Sequence, residues 1–336
     1  MVLPLILLGA AIAAGGFGVK QGVDAVSDSN EANNLRESAQ RIYDSAFSDL
    51  SWEKDRTRDI LADLGRLKLE TWQNSLGRFV DLYSQLKNVK LTGEAATDQL
   101  GEMNVPSLSQ AELADMAVIA RQVTEAITGG AGAIGAGALG GVAAYGGAGM
   151  FAAASTGTAI STLSGVAATN ATLAWFGGGS LAAGGMGMAS GMMILGGIVT
   201  GPVLAVGGMV WAAKAQEDLA NAKGDYAQAK RAVDEMKNAR TLVTGIGKVA
   251  EEFHKLIQSL AARTDIILDL LEKVIKKSGI DYSQYAQPQQ RAVYLAVQFA
   301  QVLKMVIETP ILTKDGALTT NYRKALGEGK KILKSA

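Results

Sequence analysis

From Ala126 to Ala213 the chain runs for about 88 residues without one Asp, Glu, Lys, Arg or His, although 19% of its 336 residues are charged. Gly, Ala, Met, Ser and Thr fill most of this block. A water-facing domain surface carries charges of both signs at closer intervals than that. The block must therefore meet hydrocarbon or be wrapped by the rest of the chain. Everything else is arranged around it, as two charged flanks and a short uncharged leader.

The leader, residues 1–19, is a second charge-free run, MVLPLILLGAAIAAGGFGV. It has the length of a signal peptide but no basic n-region, and it is barely long enough to span a bilayer. Three roles fit it: membrane segment, core helix or cleaved signal.

From Asp28 to Lys90 charge is dense and proline absent. Ser27, Asp28 and Ser29 are N-cap candidates, with Glu31 placed for a capping box. Ile60, Leu64, Leu67, Trp72, Leu76, Phe79, Tyr83 and Leu86 step by threes and fours with one slip, an amphipathic stripe of coiled-coil type. Gly65 and Gly77 each weaken it by about 1 kcal/mol relative to Ala. Residues 91–109 carry Gly93, Gly101 and Pro106 and predict a connection. Ser107 or Ser109, followed by Glu112, caps a second helix over 111–128.

After Lys214 the charges return. Leu219, Ala222, Tyr226, Ala229, Val233, Met236, Val243, Ile246, Phe253, Leu256, Leu260, Ile267, Leu271 and Val274 keep a helical rhythm to about Lys277. With no proline between Pro202 and Pro288, this predicts one helix of about 60 residues. Ala222 and Ala229 imply a tight seam early in it. Gly245 and Gly247 are a candidate hinge, and Ser278-Gly279 a helix stop. A further helix is expected over 289–308, ended by Pro310, then a turn at Lys314-Asp315-Gly316. The tail 322–336 is basic and amphipathic, suited to anionic lipid or to an ordinary solvated terminal helix.

Inside the block, small residues recur four apart: Gly137 and Gly141; Gly157, Ser161 and Gly165; Gly187 and Gly191; Gly197 and Gly201. This spacing lets helix backbones approach closely in lipid, although in so glycine-rich a block some such pairs arise by chance. Breaks at 155–157 and 177–179 leave segments 130–153, 158–176 and 180–213, the last bent at Gly196-Gly197 or Pro202. Trp175 and Trp211 sit near segment ends, where aromatic side chains favour the headgroup layer. Gly and Ala bury little apolar area, so insertion is expected to be marginal and to need partners or a trigger.

Known chemistries find little support. Basic and acidic residues balance at 32 each, so no overall field points to nucleic acid. There is no cysteine and a single histidine, His254, which removes thiolate chemistry, disulfides and histidine metal clusters. Gly245-Ile246-Gly247-Lys248 lacks the first glycine and the Ser/Thr of a phosphate loop. The Gly-x-Gly strings of the block follow no strand and precede no acidic ribose partner. No cofactor and no metal is expected, and the chain is not expected to be an enzyme.

Two charged helical arms flanking a charge-free Gly/Ala block resemble the layout of α-helical pore-forming proteins of the haemolysin E type, and the block resembles the glycine-rich regions of apolipoprotein-L-like membrane proteins. The string from Ala168 to Gly185, ATNATLAWFGGGSLAAGG, resembles one in uncharacterised bacterial helical proteins. The pore-former resemblance implies a helical bundle that folds its apolar segment away when soluble and inserts it when assembled. It is one of layout and transfers no residue roles.

The expected fold is all-α, an elongated antiparallel bundle or coiled coil with a central Gly/Ala-rich hairpin block. Its parts are an apolar segment 1–27, a first arm 28–128, the membrane-active block 129–213, a second arm 214–277 and a C-terminal helical region 278–336. Membrane insertion with homo-oligomerisation into a pore, or perturbation of a bilayer, is the leading functional expectation, as a toxin or defence effector in the bacterial inner membrane or secreted. A membrane-anchored coiled-coil scaffold that binds partner proteins through its arms is the alternative. A soluble bundle with the block as its core is the third.

Overall fold

The slip in the apolar stripe of the first arm is where its backbone departs from an α-helix. The computed structural model describes residues 18–91, 108–128, 219–313 and 317–335. In it α1 (Gly18–Thr71) passes into a π-helical turn (Trp72–Leu76) and resumes as α2 (Gly77–Tyr83). From Leu67 to Trp72 the stripe steps by five, and a π-turn absorbs one extra residue. The apolar face therefore stays aimed at the same neighbours. Leu64, Trp72, Leu76 and Phe79 are all within 1% of complete burial.

The chain then makes α3 (Gln110–Thr128), α4 (Leu219–Ser278), a 3-10 turn (Tyr282–Gln284), α5 (Gln287–Glu308) and α6 (Asn321–Ser335). Among the described residues there is no strand, only isolated bridges between Lys87 and Asp281 and between Leu312 and Leu318. The fold is all-α.

The helix signals are used unevenly. At α3 the capping box forms: the Ser109 N–H donates to Glu112 Oε2 at 2.8 Å, and the Glu112 N–H donates to Ser109 Oγ at 3.2 Å. At the end of α4 Gly279 takes φ +81° and its N–H donates to the Ile275 carbonyl at 2.9 Å, the left-handed stop that glycine permits. α1 is already helical from Gly18, so the helix starts before the positions Ser27–Ser29 expected to begin it. Ser and Asp inside a helix cost only a few tenths of a kcal/mol each.

The two arms lie side by side and run in the same direction. Glu31 pairs with Lys223 at 3.7 Å, Asp49 with Arg240 at 2.8 Å and Arg56 with Glu251 at 3.2 Å. Arg78 pairs with Asp269 at 2.7 Å and Glu272 at 2.6 Å. The Lys87 N–H donates to the Ile280 carbonyl at 2.8 Å. Partner numbers rise together, so the pairing is parallel and the expected antiparallel arrangement is corrected. That expectation made the block a hairpin leaving and returning at one place. The chain instead reverses before the block, between α2 and α3. Leu113 and Ala117 lie beside Tyr83 and Leu86, and Gly77 faces Ala120, so α3 runs back along α2. Long parallel helices then require a long crossover to the start of α4. The cross-arm pairs are exposed or half-buried, and an exposed one contributes at most about 1 kcal/mol. α1 supplies the acid at Glu31 and Asp49 and the base at Arg56 and Arg78, so the charges match α4 in the parallel sense and would clash in the antiparallel one, as coiled-coil flanking charges select a partner's orientation.

Two zones follow. Near the start of the arms the contact is an alanine seam: Ala32, Ala39, Ala222, Ala229 and Ala232 are at most 3% exposed. The seam expected from Ala222 and Ala229 is present. A small cluster of Leu50, Ala232, Met236 and Ala239 continues it. Beyond Leu61 and Ile246 the pair widens into a head, where α2, α3, α5 and α6 join α1 and α4 around one core.

Candidate functional site

The head interior holds the chain's most unusual side chain. Lys68, four residues before Trp72, is fully buried, with its ammonium 5.8 Å from the centre of the Phe253 ring. Removal from water pushes its pKa down to about 7, because burial penalises the charged form. Phe253 offers the face of its ring to the cation. Sequence analysis did not single Lys68 out. Its position in the helical frame is a signal that was available: it is four residues after Leu64 and four before Trp72, on the buried face.

Gly247 sits inside the unbroken α4. A Cβ there would stand 3.1 Å from Thr57 Oγ1 and 3.7 Å from Ile60 Cδ1, and Thr57 Oγ1 itself donates to the Val243 carbonyl at 3.3 Å. This glycine lets α1 approach α4 closely, so its role is packing. The helix runs without interruption through the candidate hinge at Gly245 and Gly247, and the resemblance of 245–248 to a phosphate loop ends with this helical setting.

A groove of about 830 Å³ opens on the head between α3, α5 and α6. Met116, Val302 and Met305 give it an apolar floor, and Glu112, Asp115, Glu328 and Lys324 stand among its charged groups. Gln298, in its wall, is fully buried. Methionine-lined surfaces of this kind adapt to varied apolar partners.

The basic tail is α6. Ala325, Leu326, Gly329 and Ile332 are buried. A Cβ on Gly329 would come within 2.7 Å of Leu256 Cδ2, and Lys330 pairs with Glu252 at 3.1 Å. The apolar face of the tail is thus spent on the head. His254, half-buried on α4, belongs to no cluster of metal-binding side chains among the described residues.

Gly137, Gly141, Gly157, Ser161, Gly165, Trp175, Gly187, Gly191, Gly197, Gly201, Pro202 and Trp211 all lie outside the described residues. So do the leader up to Phe17 and the turn at 314–316. Among the described residues no helix is long and apolar enough to cross a membrane. What the structure adds at the candidate site is the position of the arms that lead out of the charge-free stretches. α1 and α4, which follow the leader and the block respectively, begin at the same end of the parallel pair. No family model, curated protein or solved structure matches the chain.

Proposed function

We propose that this is a membrane-inserting α-helical protein whose charge-free block enters a bilayer and oligomerises there, forming a pore or perturbing the membrane. The observation that carries this reading is the charge-free run itself, about 88 residues from Ala126 to Ala213 in a chain with 19% charged residues. Among the described helices Leu64, Trp72, Phe79, Met116, Phe253, Leu260, Phe299 and Leu303 share one hydrophobic core, which supports a head with an interior of its own. Hydrocarbon is an environment in which so long an uncharged stretch is stable.

Anchoring alone would need about 20 residues. The surplus, with its small-residue spacing, favours helix association in lipid. The Gly191→Leu/Gly197→Leu double variant is expected to lower dye release from liposomes while leaving the arms folded by circular dichroism. Unchanged leakage counts against the pore reading. The anchored-scaffold reading is supported by the Met-lined groove on the head. It predicts carbonate-resistant membrane residence with no dye release.

A further inference from the structure

Gln298 is a buried group that the fold leaves without a partner. Its side chain has no exposed surface, and neither Nε2 nor Oε1 finds a hydrogen-bond partner among the described residues. A carboxamide carries two donors and an acceptor, and burying it unpaired costs folding stability that a leucine at this place would not cost. Gln298, Val302, Met305 and Glu308 recur at steps of three and four along α5, so they share one face of that helix. All four line the groove between α3, α5 and α6.

The groove also has a charge. Four acids, Glu112, Asp115, Glu308 and Glu328, stand in its lining against two lysines. Lys304 is taken by Glu308 at 2.6 Å, which leaves Lys324 to balance three carboxylates. Hydrogen bonds from Ser109 hold Glu112 below the usual carboxylate range, so it stays charged at neutral pH. Asp115 is exposed and Glu328 half-buried. The lining follows α5 from Gln298 to Thr309, a rise of about 16 Å. About five residues of extended chain cover that length. An extended segment presents unpaired backbone N–H and C=O groups, whereas those inside a helix are spent on one another. It also alternates its side chains. Apolar ones can settle on Met116, Val302 and Met305, while long basic ones bend back to the acidic rim.

We propose that this groove binds a short extended segment of a partner protein with alternating apolar and basic side chains, its backbone amide paired with the Gln298 carboxamide. Gln298 is covered in the free protein, so binding requires a neighbouring side chain to move, and the flexible thioethers of Met116 and Met305 supply that movement. The site lies on the head and does not depend on the proposed membrane insertion.

The full-length chain is titrated against a fluorescein-labelled, end-capped hexapeptide of alternating Leu and Lys, followed by fluorescence anisotropy, with a Leu/Glu hexapeptide as control. Saturable binding of the Leu/Lys peptide alone is expected. Asp115→Asn/Glu328→Gln, which changes only rim charges, should weaken it about tenfold through the loss of two ion pairs. Gln298→Leu should weaken it about tenfold and at the same time raise the urea midpoint of the free protein. A purely structural glutamine would not give those opposite movements. No saturable binding, or equal binding of both peptides, overturns the proposal. So does an affinity that either set of substitutions leaves unchanged, or a Gln298→Leu variant with a lower midpoint. Exclusion of the peptide from a self-associated protein, seen as concentration-dependent size in gel filtration, assigns the groove to a second copy and also overturns it.

Discussion

Lys68→Met tests the energetics of the head core most directly. The ordinary lysine pKa is 10.5 and the buried group titrates at about 7. The gap between them corresponds to about 5 kcal/mol of preference for the neutral form in the folded state. Below pH 7 both folded and unfolded chains carry the proton, so folding bears the whole cost of the buried charge. Between pH 7 and 10.5 the unfolded chain keeps the proton while the folded chain loses it. The unfolded state then binds more protons, and stability rises with pH through this window by up to about 1.4 kcal/mol per pH unit. Above 10.5 the contribution levels off. Methionine keeps an unbranched apolar stem of similar reach and removes the charge, together with the contacts the ammonium makes, that with the Phe253 ring among them. The stability of the variant relative to the parent should therefore be greatest at pH 6 and fall by about 4 kcal/mol as pH rises to 10. Urea unfolding of both full-length proteins at a series of pH values, followed by circular dichroism, reads the difference and cancels titrations they share. A difference that stays flat between pH 7 and 10 refutes the buried-charge argument.

Two further predictions address the arms. A Glu31→Cys/Lys223→Cys pair should be joined efficiently by a short bismaleimide, because the parent side chains are 3.7 Å apart. Glu31→Cys/Glu272→Cys should stay unlinked within one chain, and the opposite pattern on a denaturing gel would restore an antiparallel pairing. Gly247→Leu forces a side chain onto Thr57 and Ile60. It should cost about 1–3 kcal/mol by overpacking, seen as a lower urea midpoint, whereas an unaffected midpoint would mean that α1 and α4 separate freely there.

Much of the all-α fold was written in local signals. The Ser109–Glu112 box, the Gly279 stop and the long proline-free second arm each rest on contacts within a few residues of chain, which is why they could be read. The step of five from Leu67 to Trp72 was visible as an irregularity, and its π-turn is the local remedy that keeps Trp72 inside. Direction was not legible, because an amphipathic stripe has the same period in either sense. The charges that choose between parallel and antiparallel are nearly 200 residues apart in sequence. Gly247 was opaque for the same reason, because whether a glycine is a hinge or a close approach is decided by the neighbouring helix. Lys68 was legible in part: its spacing from Leu64 and Trp72 places it on the buried face, but its neighbour Phe253 lies on the other arm. The glycine spacing of the block is a pattern on residues outside those described, so the candidate site still rests there on sequence.

The parallel arrangement also sets how much of the block is needed merely to connect. Gly77 faces Ala120, and α3 continues to Thr128, so by helix count α3 ends near the level of Leu69. α4 starts four residues before Lys223, which pairs with Glu31. The two ends are thus separated by about 40 residues of helix, or about 60 Å. An extended chain covers that distance in about 18 residues, a small part of what lies between Thr128 and Leu219. Joining the arms therefore uses only part of that length. Replacing 129–213 by a Gly/Ser linker of about 40 residues gives a contour near 140 Å. Holding it at 60 Å should cost about 2 kcal/mol of chain entropy, given its shorter unperturbed span. If the block acts in the membrane, this variant should keep the cooperative unfolding of the arms and head and the cross-link between cysteines placed at Glu31 and Lys223. It should also lose the block's share of vesicle flotation. If the block is the core of a soluble bundle, the same replacement removes what the helices pack on, and the variant should unfold or aggregate.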